Sequence, residues 1–259
     1  MRWLLFILAV TTAPGLRGEQ VIIYTESSPP YHYLSERNEV TGSVTDRVRD
    51  IVLRAGYEPV FRVFPWARAM KNVQRSPNSL IFSVAKTTER EALLIWIAPV
   101  STFNLSLISL QPEHAGKFSQ GVSKLAQYSV AAQRDDIAWQ WLSNNGMVEG
   151  QNLLACADIA CSWQYLTSGR VDFIIEDPAL IDVMQADFNV ERTAISVAGT
   201  IPELTVTGYL AANKAMPGEM AARLIRAASD SKFTNRHSAA YAESTLPQPS
   251  TATTPVAKP

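Results

Sequence analysis

"DRVRDIVLRAGYEPVFRVFPWARAMKNVQ" (Asp46–Gln74) places a helical pattern, a strand pattern and a second helical pattern in direct succession. In the first part, Val48, Ile51 and Val52 recur at helical spacing and fall on one face. The run "PVFRVF" is typical of a strand, and Pro65 then occupies a first helical position. This order predicts an α/β fold with largely parallel sheets.

The same alternation continues along the chain. Further strand-like runs are "QVIIYT", "SLIFSV", "NLSLISL", "YSVAA", "VDFII" and "LTVTGYLAA". Further helical patterns are "DDIAWQWLSNNG", "CSWQYLTSG", "PALIDVMQADF" and "PGEMAARLIRAASDSKFTNRHSAAYAE". In α/β sheets ligands bind in crevices beyond the carboxyl ends of strands. Polar side chains that directly follow a strand are therefore the candidates for a binding site.

Both ends of the chain have compositions unlike that of the middle. An apolar run, Trp3–Val10, follows a short basic start and precedes small and breaker residues, the order of a secretory signal. The run is too short to span a bilayer, and cleavage after either Gly15 or Gly18 fits. We expect an exported, periplasmic protein. Residues 245–259 are rich in Pro and Thr and have no apolar period, which predicts a disordered tail.

Composition excludes several classes of function. The formal net charge of −1 gives no electrostatic footprint for nucleic acid. No P-loop, G-x-G-x-x-G, H-E-x-x-H or C-x-x-C motif occurs, so we expect neither a cofactor nor a metal site. The two cysteines, Cys156 and Cys161, lie five apart in an oxidising compartment, which favours a local disulfide over two free buried thiols.

Arg90 stands just after the strand-like run "SLIFSV", at the start of a short helical turn. An arginine is an effective clamp for a carboxylate because its planar fork donates two parallel hydrogen bonds and keeps its charge. The Thr87 hydroxyl lies beside it in the sequence. The alternative is a solvated surface arginine that pairs with Glu89 or Glu91.

Asp177 follows another apolar run, Phe173–Ile175, and precedes Pro178. An aspartate before proline is most often a helix N-cap. Its place at the carboxyl end of a strand also allows it to reach into a crevice. The sequence leaves both interpretations open.

Three motifs in this order resemble the bacterial extracellular solute-binding proteins of family 3, the polar amino acid receptors of ABC transporters. The resemblance runs from Val21 to about Ala242. The first motif joins a Pro-aromatic pair to a later Gly-x-x-x-Asp, the second is T-x-x-R with an aromatic residue six positions on, and the third is G-R-x-D with another Asp five positions on. The residues that carry them are Tyr31 and Asp46, then Thr87, Arg90 and Trp96, then Gly169, Arg170, Asp172 and Asp177.

The resemblance implies roles for particular residues. Arg90 would bind an α-carboxylate, Asp177 an α-ammonium group, and Tyr31 would line the pocket. Three further residues would complete the cradle: Ser83 and Ala85 through backbone groups, and Thr87 through its hydroxyl. Trp66, in the stretch "FPWARAM" typical of a subgroup, would face the mouth of the cleft, with a core tryptophan as the alternative.

The resemblance also implies a type II periplasmic-binding-protein fold, in which two α/β lobes are joined by two hinge crossings and close on a ligand. The crossings would lie near Pro99–Phe103 and Ile201–Leu204. The implied divisions are a signal peptide (1–18), lobe 1 (19–102 and 203–244), lobe 2 (103–202) and the tail (245–259). The expected function is that of a monomeric, non-enzymatic receptor that captures a zwitterionic solute, most plausibly an amino acid, and delivers it to an ABC-type permease.

One departure concerns the start of the second lobe. The family usually has a Gly-Thr pair there, whereas this chain has Arg134-Asp135-Asp136 after "YSVAAQ". Either aspartate fits a helix cap, and Arg134 offers another donor for an anion.

Two alternative functions remain open on the same fold. One is an enzyme similar to cyclohexadienyl dehydratase, which needs a general acid in the cleft. Glu26 and Glu176 are the candidates, and Glu26, a predicted pocket residue, follows a strand among tyrosines that would raise its pKa. The structural alternatives are a solvated loop carboxylate for Glu26 and a strand-end residue for Glu176. The other function is a stand-alone ligand sensor that signals to a membrane receptor.

Overall fold

The computed structural model describes residues 18–119 and 124–230. Nearly all of the predicted signal segment, the predicted tail and the end of the predicted last helix lie outside these ranges. No helix within them is long and apolar enough to cross a membrane.

Ten strands and seven helices alternate along the described chain. The strands are β1 (Gln20–Thr25), β2 (Tyr33–Leu34), β3 (Val40–Thr41), β4 (Glu58–Val63), β5 (Ser79–Ala85), β6 (Leu94–Ser109), β7 (Val130–Gln133), β8 (Leu153–Cys156), β9 (Phe173–Glu176) and β10 (Ser196–Asn213). The helices are α1 (Ser43–Arg54), α2 (Trp66–Arg75), α3 (Thr88–Glu91), α4 (Ile137–Asn144), α5 (Ile159–Thr167), α6 (Ile181–Asp187) and α7 (Gly218–Ser229). The α/β prediction is confirmed.

Eight strands form one mixed sheet in the order β4-β1-β5-β10-β6-β9-β7-β8. Strands β4, β1 and β5 are parallel and form what we call the first flank. Strands β9, β7 and β8 are also parallel and form the second flank. Between the flanks β10 and β6 run antiparallel to each other and to their outer neighbours. The expectation of largely parallel sheets therefore holds on the flanks and is wrong in the middle.

The two central strands are longer than their sequence patterns predict. The apolar runs predicted strands only from Asn104 and from Leu204, whereas β6 begins at Leu94 and β10 at Ser196. The additional residues pair with each other across the sheet, with register shifts that include one between Thr200 and Thr205. This pairing is long-range, so a local apolar pattern does not reveal it.

Helix α1 begins at Ser43, three residues before the predicted start at Asp46. Its N-cap is Gly42, whose φ of 117° lies in the region that favours glycine. A Cβ at this position would collide with the Tyr31 carbonyl. That carbonyl accepts a 2.9 Å hydrogen bond from the Val44 amide, so the close approach ties Tyr31 to the start of α1.

The apolar core consists of three clusters. The largest joins β1, α1 and α7 to residues of α5 and β9. A second lies between residues 105 and 204, where Phe118, Phe173 and Leu142 are buried. The third packs α2 against β1 and β5, with Trp66 as its largest buried side chain. These clusters fix the strand ends at which the polar residues collect.

Candidate functional site

A cavity lies where the carboxyl ends of four strands converge. Strands β1 and β5 of the first flank meet β7 and β9 of the second there, as expected for an α/β sheet. Charged groups and neutral polar groups share its wall with apolar side chains. The lining residues are Glu26, Ser28, His32, Trp66, Ser83, Ala85, Arg90, Phe103, Leu105, Gln133, Asp136, Ile137, Ile159, Ile175, Glu176, Asp177, Leu180 and Val206.

Arg90 is the cation of this cavity and is only 4% exposed, so its interpretation as a solvated surface residue is wrong. Helix α3 presents it, and the helix begins because the Thr87 hydroxyl accepts a hydrogen bond from the Arg90 amide. The guanidinium donates from Nη1 to the Ala85 carbonyl (3.2 Å) and from Nη2 to the Asp135 carbonyl (3.0 Å). Burial lowers the pKa of Arg90, whereas the charge of Asp136 acts in the opposite direction.

The Asp135 carbonyl is also a contact between the two flanks. Trp66, at the start of α2, donates its indole N–H to this oxygen at 3.0 Å, and its ring lies 5.0 Å from the Arg90 guanidinium carbon. Asp135 has a φ of 62°, a left-handed conformation that aspartate adopts more readily than most residues. Two donors from the first half of the chain thus converge on one oxygen that follows β7.

Asp177 combines the two interpretations that its sequence allowed. Its Oδ1 accepts from the Ala179 amide at 2.9 Å and caps the turn that begins at Pro178. Its Oδ2 accepts from the Tyr31 hydroxyl at 3.2 Å and from the Asn104 amide at 3.1 Å. Burial raises the pKa of Asp177, and these three hydrogen bonds lower it. The carboxyl group lines the cavity and is 3% exposed.

Glu26 directly follows β1 and carries a buried Oε2 that has no hydrogen-bond partner among the described residues. Burial, together with the charge of Asp136, raises its pKa to about 8. A hydrogen bond from the Gln133 side chain, at the end of β7, and the charge of Arg90 act in the opposite direction. The interpretation of Glu26 as a solvated loop carboxylate is therefore wrong.

Two more carboxyl groups share the cavity. Glu176, the last residue of β9, is 6% exposed, and burial with the charges of Asp136 and Glu26 raises its pKa well above the usual value. Asp136 caps α4 by accepting from the Trp139 amide. Burial raises the pKa of Asp136 to about 7.

Neutral polar groups in the wall also lack partners. His32 is 1% exposed, neither of its ring nitrogens has a hydrogen-bond partner in ranges 18–119 and 124–230, and burial lowers its pKa to about 3. Ser83 has a φ of 61° and an unpartnered, buried hydroxyl. Buried polar atoms without partners are costly in a folded protein and are expected where a ligand supplies the partner.

Six of the eight predicted ligand-binding residues line the cavity: Arg90, Asp177, Ser83, Ala85, Trp66 and Glu26. The other two act behind the wall. Thr87 caps the helix that presents Arg90, and Tyr31 donates to Asp177. Sequence reasoning missed His32 and Gln133. The sequence could have identified Gln133, because it directly follows a predicted strand, "YSVAA". Arg90 and Asp177 were identified by the same kind of position, shortly after a strand ends.

The residues Arg134, Asp135 and Asp136, which depart from the family pattern after β7, have separate roles in the structure. Arg134 points away from the cavity and pairs with Glu149 at 2.6 Å on the surface, so it is not a donor to this site. Asp136 is the helix cap. Nearby, Cys156 and Cys161 form a disulfide between the end of β8 and the first turn of α5.

The sequence of this chain matches one protein family over residues 21–186, described as bacterial extracellular solute-binding proteins, family 3. The match covers more than half of the chain. The chain belongs to this family. Comparison with curated proteins gives no significant match.

Solved structures with low sequence identity to this chain share its fold. A histidine kinase sensor domain with similarity to periplasmic binding proteins superposes with a TM-score of 0.72, 16% identity, and coverage of 88% of this chain and 96% of that one. An amino acid ABC transporter substrate-binding protein from Streptococcus pneumoniae, bound to L-arginine, superposes with a TM-score of 0.68 and 19% identity, and the superposition covers 82% of this chain and 88% of that one. Holo ArgBP from T. maritima superposes with a TM-score of 0.68 and 15% identity, and the superposition covers 82% of this chain and 90% of that one. The type II periplasmic-binding-protein fold is thereby confirmed.

Proposed function

We propose that this chain is a periplasmic receptor that captures an amino acid between two lobes and delivers it to an ABC-type permease. The observation that carries the proposal is the cavity itself, in which a buried arginine and a buried aspartate come from opposite flanks of the sheet. A zwitterion satisfies both charges at once. The free carboxylate would take the remaining N–H groups of Arg90, and the ammonium group would lie on Asp177.

The physical basis is the cost of burying charge. An ionised group that loses water without gaining a partner destabilises the closed state by several kcal/mol. A ligand with both charges removes two such penalties, whereas a ligand with one leaves the other in place. Closure around an amino acid is therefore favoured over closure around an uncharged solute of equal size.

The proposed lobes follow the two flanks of the sheet. Lobe 1 is residues 19–102 with the chain from 203 onward, and lobe 2 is residues 103–202. Strands β6 and β10 are the only long strands of the described sheet that run from one flank toward the other, and the register shift after Thr200 falls at the second proposed crossing. Bending at these two places would open the cavity.

The test is a thermal-shift screen of the mature domain against the L-amino acids, followed by calorimetric titration of each hit. A ligand at a thousandfold excess over its Kd adds about 4 kcal/mol to the free energy of unfolding, a shift of roughly ten degrees or more at this size. Arg90→Ala and Asp177→Asn should each weaken binding of the hit by about thirtyfold or more. Asp177→Asn keeps the Oδ1 acceptor of the helix cap but loses the Oδ2 acceptor of the Asn104 amide, so its fold is checked by circular dichroism before titration.

Arg68→Ala is the matched control for the arginine variant. Arg68 lies on α2 over the Phe64 ring, is exposed, and does not line the cavity. We expect the Arg68→Ala variant to bind the hit with the same affinity as the unmodified protein. Near-native affinity in folded Arg90→Ala and Asp177→Asn would refute the assigned roles, and silence from every amino acid would refute the receptor proposal.

One observation favours a second candidate, an enzyme similar to cyclohexadienyl dehydratase. Such an enzyme needs a protonated acid in the cleft, and burial raises the pKa of Glu26 to about 8 and that of Glu176 well above its usual value. Product formation from prephenate or arogenate, lost in Glu26→Gln or Glu176→Gln, would support catalysis. Binding of an amino acid without turnover of either compound would support the receptor.

A further inference from the structure

Acidic and basic groups line the cavity in unequal numbers. Four carboxyl groups, those of Glu26, Asp136, Glu176 and Asp177, face one cation, Arg90. His32 adds no positive charge, because burial keeps it neutral. An amino acid bound as proposed would pair with Arg90 and Asp177, and its two charges would leave the excess of carboxyl groups unchanged.

The three remaining carboxyl groups are not equivalent. Asp136 already accepts a hydrogen bond from the Trp139 amide as a helix cap. Glu26 has a buried, unpartnered Oε2, and Glu176 is buried among carboxyl groups whose charges raise its pKa. Glu26 follows β1 and Glu176 ends β9, so these two carboxyl groups approach the cavity from opposite flanks. They are close enough that the charge of Glu26 raises the pKa of Glu176.

We propose that Glu26 and Glu176 together bind a positively charged group at the side-chain end of the ligand, so that the preferred solute is a basic amino acid. This inference rests on the proposed function and adds the class of side chain. The apolar wall around Leu105, Ile137 and Ile159 suits the methylene stem of such a ligand.

The occupant is an organic cation and not a metal ion. Across residues 18–119 and 124–230, no group of three or more His, Cys, Asp and Glu side chains is arranged to hold a metal. Two carboxyl groups opposite each other suit an ammonium or guanidinium group, which donates several hydrogen bonds. One ring nitrogen of the neutral His32 and the Ser83 hydroxyl oxygen offer further acceptors in the same wall.

Calorimetric titration with matched pairs of ligands tests the inference. L-Arginine and L-citrulline have nearly the same shape and differ in charge, and L-lysine and L-norleucine form a second pair. We expect the cationic member of at least one pair to bind at least about tenfold more tightly. Glu26→Gln combined with Glu176→Gln should remove most of that preference for the cationic member.

Glu219→Gln is the control, because it makes the same chemical change on the exposed start of α7, outside the cavity lining. It should leave both affinities unchanged. A second readout is the number of protons released on binding, because a cation beside carboxyl groups of raised pKa displaces protons. Titrations at pH 7 in buffers of different ionisation enthalpy should show proton release when the cationic ligand binds the unmodified protein. The double variant should release fewer protons with the same ligand.

The outcomes separate this inference from the proposed function. Equal affinity for the cationic and neutral members, or a cationic preference that survives the double substitution, overturns the inference and leaves the receptor intact. Failure of every amino acid to bind overturns the receptor, and the inference falls with it.

Discussion

At the scale of single residues, burial in the cavity raises the pKa values of its carboxyl groups. Glu26 is the clearest case, since burial raises its pKa from 4.5 to about 8. The groups around it act in both directions: Asp136 and Asp158 raise the pKa, and Gln133 and Arg90 lower it. Because the unfolded chain loses this proton near pH 4.5, the folded and unfolded states differ in bound protons over a wide range of pH.

This difference predicts a specific pH dependence. Between pH 4.5 and 8 the folded protein binds more protons than the unfolded chain, so the free energy of unfolding of the ligand-free protein falls as pH rises, by up to about 1.4 kcal/mol per pH unit for one such group. Glu26→Gln removes this contribution. The stability gained by Glu26→Gln should therefore grow from pH 5 to pH 8 in urea titrations.

Asp136, Glu176 and Asp177 also have raised pKa values, so the variant should retain part of the decline. Glu219→Gln should run parallel to the unmodified protein across the same range. A stability difference between Glu26→Gln and the unmodified protein that is constant with pH would contradict the assigned protonation.

At the scale of secondary-structure elements, one glycine connects the start of a helix to the cavity. Gly42 allows the Tyr31 carbonyl to approach the first amides of α1, and the Tyr31 hydroxyl donates to Asp177 across the sheet. The position of a strand-end carboxyl group thus depends on a helix N-terminus far away in the sequence.

Gly42→Ala should reduce the free energy of unfolding by about 3 kcal/mol, because the added Cβ meets the Tyr31 carbonyl and the backbone φ is unfavourable for alanine. Gly146→Ala is the control. Its φ of 83° also lies in the region that favours glycine, but no heavy atom lies within 4 Å of the added Cβ, so a loss of about 1 kcal/mol is expected. Equal losses in urea denaturation of the two variants would refute the importance of the close approach.

The same scale shows what sequence reasoning can recover. Strand ends, helix caps and charged motifs are local, so the sites of Arg90 and Asp177, the cap at Asp136 and the alternation of elements were all predictable. The length of β6 and β10 was not, because it depends on pairing between residues about a hundred positions apart. His32 was missed for a similar reason: its burial against Phe82, with ring centroids 5.0 Å apart, comes from tertiary packing alone.

At the scale of the whole molecule, direct hydrogen bonds join the two proposed lobes. Arg90 and Trp66 of proposed lobe 1 both donate to the Asp135 carbonyl of proposed lobe 2. Separation of the proposed lobes would break these hydrogen bonds. They therefore favour the closed conformation over an open one, so less of a ligand's binding free energy is needed for closure.

Trp66→Phe removes one of these hydrogen bonds and keeps an aromatic ring beside Arg90. A single net hydrogen bond contributes about 1 kcal/mol, so the ratio of closed to open molecules should fall about fivefold. Distance measurements between spin labels on the two lobes, made without ligand, would report this shift. Trp141→Phe, on α4 away from the cavity lining, is the control and should leave the distance distribution unchanged. An unchanged distance distribution in Trp66→Phe would show that the contact has no influence on closure.

The use of a main-chain oxygen by Arg90 and Trp66 has a consequence for how this protein can evolve. Because the acceptor is the main-chain carbonyl of Asp135, neither hydrogen bond requires an aspartate side chain at that position, and in this respect the side chain is free to change. Its backbone is not free, since a φ of 62° admits glycine and asparagine far more readily than a β-branched residue. Among descendants of this sequence, we expect position 135 to vary within that short list while Arg90 and Trp66 stay fixed.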